Sequence, residues 1–382
     1  MALEIDYSSG IFEAAPSGET VGTVTGNATL DLTSGNLFNH TPTANTTFVF
    51  SNPPTTGSAY DMTLKVVGAN VVTGYDLANA SYDNVSFSVA SQETNPNSVW
   101  IKYDGLKMYV VGVTGDDINE YSLSTAWDIT TASFTAATSV ASQETAPHGL
   151  FFRSDGTKMY LVGSASDSVH EYDLSTAWDS TTISLVRSQS VSSQDTGPQD
   201  VWFNTDGTKM FILGYTGSDV NEYSLSTAWD VSTISYTRNF SVSAQASGPR
   251  GMFMNPDGTK MWITENTSDE VHEYDLTTGF DLSTASYNNV QFSVTTEESS
   301  PYGLYFKNDG SKMYIIGGGS DTIYQYSTGS TALATITYPA SVKWAGGTAP
   351  SAPASGQKDV YNFFTLDGGT TYYGFQAGDA MA

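Results

Sequence analysis

Apolar and polar residues alternate in short runs along most of the chain, and over its middle two thirds the runs come in sets. One set reads "GLFF", "KMYLVG", "SVHEYDL" and "ISLVRSQSVS" within residues 149–192. Each run is short, rich in Val, Tyr, Phe and Ile, and bounded by Gly, Ser, Asp or Thr, which is the pattern of a strand. The connection "RSDGTK" carries an Asp-Gly pair, suited to a tight hairpin that needs positive φ. Four antiparallel strands in about fifty residues make a unit the size of a propeller blade.

The set recurs. Pro96, Pro147, Pro198, Pro249 and Pro301 open the copies, spaced 51, 51, 51 and 52 residues apart. Asp-Gly pairs follow at Asp104, Asp155, Asp206, Asp257 and Asp309, and Lys-Met pairs at Lys107, Lys158, Lys209, Lys260 and Lys312. Glu-Tyr closes the first four at Glu120, Glu171, Glu222 and Glu273, and Gln325-Tyr326 the fifth. One blade cannot bury both faces, so five must pack around an axis. Residues 80–89, "ASYDNVSFSV", match the fourth-strand stretch "ASYNNVQFSV" at 285–294, while the fifth copy has no fourth strand after it. An early strand that completes the last blade removes the open edge. The expectation is a closed five-bladed β-propeller over residues 75–327. Its blade pattern resembles the YVTN and NHL-type propellers, a likeness that implies fold and is nearly silent on function.

Two segments outside the ring share no repeat with it. Residues 27–68 and 334–382 alternate apolar and polar positions, as in "TTFVF", "DMTLKVV", "DVYNFFTL" and "TTYYGF". Neither is long enough for a core alone, whereas joined they supply about ninety residues and six or more strands. The chain is therefore expected to be all-β, a five-bladed propeller inserted into a small split β-sandwich, with a short N-terminal segment 1–26 that has no coiled-coil heptads. The joined segments, above all "VKWAGGTAP" and "FFTLDGGTTYYGF", resemble a small β module of bacteriophage virion proteins, often found at the end of tail-fibre and other structural polypeptides. That resemblance implies a virion protein assembled in the host cytoplasm, with other virion proteins and copies of itself as partners. Trp344, Phe363, Phe364, Tyr372, Tyr373 and Phe375 are expected to supply the module's core and part of an interface.

Composition narrows the partners. With 40 acidic and 14 basic side chains the net charge is −26, which argues against nucleic acid and anionic membrane surfaces. Cysteine is absent, so disulfides, thiol catalysis and cysteine metal sites are out. The start "MALEIDYSSGIFEAAPSGET" has neither the basic region nor the apolar run of a signal peptide, and no stretch is apolar enough to span a bilayer as a helix.

Candidate chemistry is sparse. Of four histidines, His40 lies in a turn-rich stretch, and His170 and His272 occupy the same third-strand position in two blades, so shared zinc ligation is not expected. Asp116, Asp167, Asp269 and Asp321 recur in turns, with Ser218 in the third copy; their spacing suits backbone capping better than calcium. Glu120, Glu171, Glu222 and Glu273 repeat with the blade and read as structural. Trp127, Trp178 and Trp229, with Phe280 in the fourth copy, read as blade anchors, with sugar stacking as the alternative. No Walker loop, G-x-S-x-G elbow or HExxH is present. The expectation is a protein with no catalytic site, metal or cofactor, and no enzyme.

One position varies where its neighbours do not. The residue after each landmark proline is Asn97, His148, Gln199, Arg250 and Tyr302. In related propellers this loop rings the axial mouth, and five different polar groups there would make a small binding surface. The functional expectation is a virion surface protein whose sandwich docks to the particle and whose propeller faces a host glycan. The alternatives are a capsid decoration or fibre protein without a receptor role, and a polysaccharide-degrading enzyme or lectin.

Overall fold

The computed structural model describes residues 19–20, 27–55 and 58–381. The N-terminal segment 1–26 therefore lies outside the described residues except for a two-residue strand, Glu19–Thr20.

Contacts divide the chain into two units, Gly74–Ser330 and the remainder on either side of it. The first is a five-bladed propeller. Blades one to four are four-stranded antiparallel sheets whose inner strands are Pro96–Ile101, Pro147–Phe152, Pro198–Phe203 and Pro249–Met254. Blade five has inner strand Pro301–Phe306 and takes its outer strand from the start of the unit: Ser81–Ser88 pairs antiparallel with Thr322–Ser327. The ring is closed as its repeats foretold. Asp83 on that early strand also accepts from Lys312 at 2.6 Å and from Gln325 at 2.8 Å.

The axis is filled. The fifth residue of each inner strand is aromatic: Trp100, Phe151, Trp202, Phe253 and Tyr305. Their rings meet around the centre, with centroids of neighbours separated by 5.0 Å (Trp100–Phe151), 5.3 Å (Phe151–Trp202), 4.8 Å (Trp202–Phe253), 5.4 Å (Phe253–Tyr305) and 5.0 Å (Tyr305–Trp100). Such pairs contribute about 0.5–1.5 kcal/mol each beyond the area they bury.

Charge ties one blade to the next. Glu120, nearly buried, pairs with Lys107 and accepts from Ser180 N at 2.9 Å and Ser180 Oγ at 2.7 Å, both in blade two. Glu171 pairs with Lys158 and reaches Val231 N in blade three, and Glu222 pairs with Lys209 and reaches Leu282 N in blade four. The tryptophans act with them. Trp178 and Trp229 accept through their carbonyls from Tyr109 Oη and Tyr160 Oη of the preceding blade, each at 2.7 Å. The Trp178 ring lies over its own Asp-Gly turn so closely that a Cβ on Gly156, at φ 71°, would come 2.3 Å from the indole nitrogen. The turn residues Asp116, Asp167, Ser218, Asp269 and Asp321 all have φ between 46° and 57°, the left-handed conformation that Asp tolerates better than most.

In the second unit a six-stranded sheet joins both chain segments. Tyr60–Val67 pairs antiparallel with Lys358–Thr365 over eight residues, and Leu37–His40 lies parallel to Tyr60–Val67. A three-stranded sheet of Asn27–Asp31, Thr46–Ser51 and Ile336–Thr337 shares its core, where Leu30 and Phe48 meet Leu64, Tyr361 and Phe363. The aromatic end divides by face. Phe363 and Tyr372 are buried, Trp344 is half-buried, and Tyr373 and Phe375 are exposed beside Phe364.

Two outcomes follow from these pairings. Deleting residues 80–92 should leave blade five with an unpaired edge, seen as concentration-dependent association in light scattering. Replacing residues 74–330 by a short Gly/Ser turn should leave a soluble β unit. A single cooperative thermal transition checks this, and its absence would show that the outer segments need the propeller to fold.

Candidate binding site

The five variable residues share a structural cause. In every blade the pairing of inner and second strands skips one residue: between Pro96 and Ser98, Pro147 and Gly149, Pro198 and Asp200, Pro249 and Gly251, and Pro301 and Gly303. Asn97, His148, Gln199, Arg250 and Tyr302 are the bulged residues. A bulge releases its side chain from the ladder and re-aims it, so these five positions are free to differ while their neighbours are not. All lie at the first turn of the inner strands, at one end of the axis.

Their environments are unequal. Asn97 is buried and spends its amide on Pro147 O of blade two at 2.9 Å. Gln199, also buried, donates to Gly197 O and accepts from Arg250 Nη1 at 3.1 Å. His148 meets Ser164 Oγ at 3.0 Å; burial first, then the Arg250 charge, pushes its pKa down to about 4, so it is neutral at pH 7. Arg250 is half-buried between two tyrosines, its guanidinium 4.5 Å from the Tyr215 ring and 5.0 Å from the Tyr302 ring. Asn266, with its amide turned to the orientation that satisfies both its ends, accepts from Arg250 Nε and Nη2 at 3.2 Å. Gln199, Arg250 and Tyr302 thus form one contiguous cluster across three blades, with Arg250 and Tyr302 partly exposed above a buried Gln199. Asn97 serves chiefly as an inter-blade tie.

The other three arginines, Arg153, Arg187 and Arg238, each pair with a carboxylate. Among the described residues no carboxylate pairs with Arg250. In a chain of net charge −26 that is a distinct environment: a cation held in place by neutral partners.

Two features escaped the sequence reading. The first is Asp200. The equivalent residues are Ser98, Gly149, Gly251 and Gly303, where the inner strands converge; a Cβ on Gly149 would come 2.5 Å from Asp200 Cα. The Asp200 carboxyl fills this space, accepting from Val201 N at 2.8 Å and Met252 N at 2.9 Å. Burial outweighs those two bonds and pushes its pKa up to about 7. The signal was a lone acid at a Gly/Ser position. The second is a cavity of about 310 Å³ at the opposite end of the axis, lined by Phe151, Trp202, Trp229, Phe253, Phe280 and Tyr305 among others. Trp229 and Phe280, expected as anchors or stacking platforms, line it; Trp127 and Trp178 do not.

No protein-family model matches the chain, and no curated protein does. Solved structures do. The periplasmic gluconolactonase PpgL of Pseudomonas aeruginosa is 13% identical, covering 68% of this chain and 71% of its own, with a TM-score of 0.39. A Bacteroides uniformis protein provisionally called a 6-phosphogluconolactonase is 13% identical over 60% of this chain and 67% of its own, with a TM-score of 0.39. A Lactobacillus plantarum protein is 15% identical over 64% and 72%, with a TM-score of 0.41. At these values the similarity concerns the propeller and assigns no activity to this chain. It does correct the expectation that the chain is not an enzyme. Three of the similar structures carry lactonase names, among them the periplasmic gluconolactonase.

The Asp200 environment has a measurable consequence. The unfolded chain releases this proton near pH 3.8 and the folded chain holds it to about pH 7. The stability contributed by the protonated group is complete below pH 3.8 and is lost as pH rises to 7. Asp200→Gly, which installs the residue of three other blades, should therefore gain stability relative to the parent between pH 5 and 8, by at most about 4 kcal/mol. Paired thermal melts across that range would check it; a pH-independent difference would place the proton elsewhere.

Proposed function

We propose that the chain is a surface-recognition protein of a phage particle, the propeller mouth binding an anionic glycan and the two-segment β unit providing attachment. One observation carries the recognition half. Arg250, stacked between Tyr215 and Tyr302 and held by Gln199 and Asn266, is an arginine without a carboxylate partner among the described residues, at a bulged, variable rim. A planar cation flanked by aromatic rings suits a sugar that carries a carboxylate: the guanidinium takes the charge and the tyrosines take the apolar ring face. The attachment half is supported by the sequence resemblance of the outer segments to virion modules. The exposed rings of Tyr373 and Phe375 beside Phe364 give that unit an apolar surface.

A second reading has its own observation. The aromatic cavity at the opposite end suits a neutral, flat ligand, and Thr205→Trp at its rim would obstruct it.

Arg250→Ala with Tyr302→Ala should weaken binding of a uronic-acid polysaccharide by roughly tenfold or more, equivalent to at least 1.4 kcal/mol, with the melting temperature little changed. Thr205→Trp should leave that binding intact. In particles, the double variant should be incorporated normally and adsorb poorly to host cells. Normal adsorption with failed incorporation would make the propeller an assembly surface and the protein a decoration. Release of reducing ends from the same polysaccharide would place a hydrolytic step on this surface.

A further inference from the structure

Blade four departs from its siblings at one corner. In the other blades a buried carboxylate from the loop before the inner strand caps the turn between the second and third strands. Glu93 accepts from Thr114 N and Gly115 N, Glu144 from Ala165 N and Ser166 N, Asp195 from Thr216 N and Gly217 N, and Glu298 from Gly319 N. A glycine at the end of the second strand makes room for it: Gly112, Gly163, Gly214 and Gly317. Blade four exchanges the pair. The loop residue is Ala246, the strand residue is Glu265, and Glu265 caps the same turn from the strand, accepting from Thr267 N at 2.9 Å and Ser268 N at 2.6 Å.

A second carboxylate lies nearby. Glu270 opens the third strand, where blades one and three carry Asp117 and Asp219 and blades two and five carry Ser168 and Thr322. Ser268 Oγ lies within hydrogen-bonding reach of both Glu265 Oε1 and Glu270 Oε2. One hydroxyl has one proton, so only one of these contacts is satisfied by donation.

The third member is His272, 2% exposed, with neither ring nitrogen hydrogen-bonded. Its counterpart in blade two shows what is missing. His170 meets Ser166 Oγ at 3.0 Å and Ser188 Oγ at 2.7 Å, whereas opposite His272 the partner strand carries Gln291, which is turned to Glu270 instead. His272 Nε2 lies 3.7 Å from Glu270 Oε2, and the ligating atoms of Glu265, Glu270 and His272 all lie within 4.8 Å of one another.

We infer that Glu265, Glu270 and His272 bind a divalent transition cation of the zinc class. Two carboxylates and one imidazole are a sufficient protein donor set, with the remaining position open to water or a ligand oxygen. The ion would use one of the two His272 nitrogens, Nε2, which faces Glu270, and offset the repulsion of two carboxylates that share one hydroxyl. Glu270 is partly exposed, which leaves the site an approach from solvent on its side.

The test is titration of the chelator-treated full chain with Zn²⁺ by calorimetry. One site is expected, with a rise in melting temperature on loading. Glu270→Ser, which installs the residue of blade two, and His272→Asn should each weaken Zn²⁺ by roughly tenfold or more. His170→Asn in blade two should leave it unchanged. Absence of stoichiometric binding, or equal affinity in Glu270→Ser, would overturn the assignment. Should His272→Asn fail to fold, the half-exposed Glu270 variant still decides.

Discussion

Five aromatic rings on the axis are the contact on which the propeller depends. Trp100, Phe151, Trp202, Phe253 and Tyr305 are neither identical nor symmetric in size, yet each touches the next and the fifth touches the first. Filling the axis this way fixes what lies above and below. Two residues earlier the strands converge until glycine or serine is preferred, and a further residue earlier each strand bulges and turns a side chain toward the rim. Beyond the rings, in the other direction, the strands diverge and leave the aromatic cavity. Both candidate surfaces are therefore consequences of one packing solution.

Around this plug, acidic residues carry structural work that net charge alone conceals. Each of the first four blades buries a Glu that pairs with a Lys, and in the first three it also caps a backbone N–H of the next blade. Each blade also buries a carboxylate that caps a turn. Glu144 illustrates the balance: burial raises its pKa, but His170 at 3.8 Å and hydrogen bonds from Ser166 and two backbone N–H groups outweigh it and hold the pKa at about 2. Hydrogen bonds to charged groups contribute about 1.5–3 kcal/mol each, so these carboxylates are integral to blade packing rather than a solvated coat.

Repetition made the fold legible. The spacing of prolines, Asp-Gly turns and Lys-Met pairs specified five blades, and the match of residues 80–89 to 285–294 specified closure, because strand pairing follows local pattern. The aromatic plug was also written in the chain, at the fifth residue of every inner strand, but a period of fifty residues hides a ring that exists only after closure. The site was less legible. Position alone singled out Asn97 and Gln199 with Arg250, while only the fold shows that both amides are buried, Asn97 tying two blades and Gln199 holding Arg250. The Glu265 exchange was visible as Glu for Gly and Ala for acid, yet its meaning required knowing that residues 246 and 265 meet at one turn.

A repeat protein offers its own control for function, since a residue that the fold requires should recur in each blade. By that measure Glu120 and its equivalents belong to the scaffold, and the exceptions stand out. They are not spread evenly. Asp200 and Tyr215 lie in blade three; Arg250, Glu265 and Asn266 lie in blade four; Tyr302 lies in blade five. Glu265 and Asn266 are consecutive, so the turn that carries the carboxylate corner also presents the amide that holds Arg250. Variation at the bulge runs around the whole rim, from Asn97 and His148 to Tyr302, but the departures that build the Arg250 environment fall in adjacent blades three, four and five.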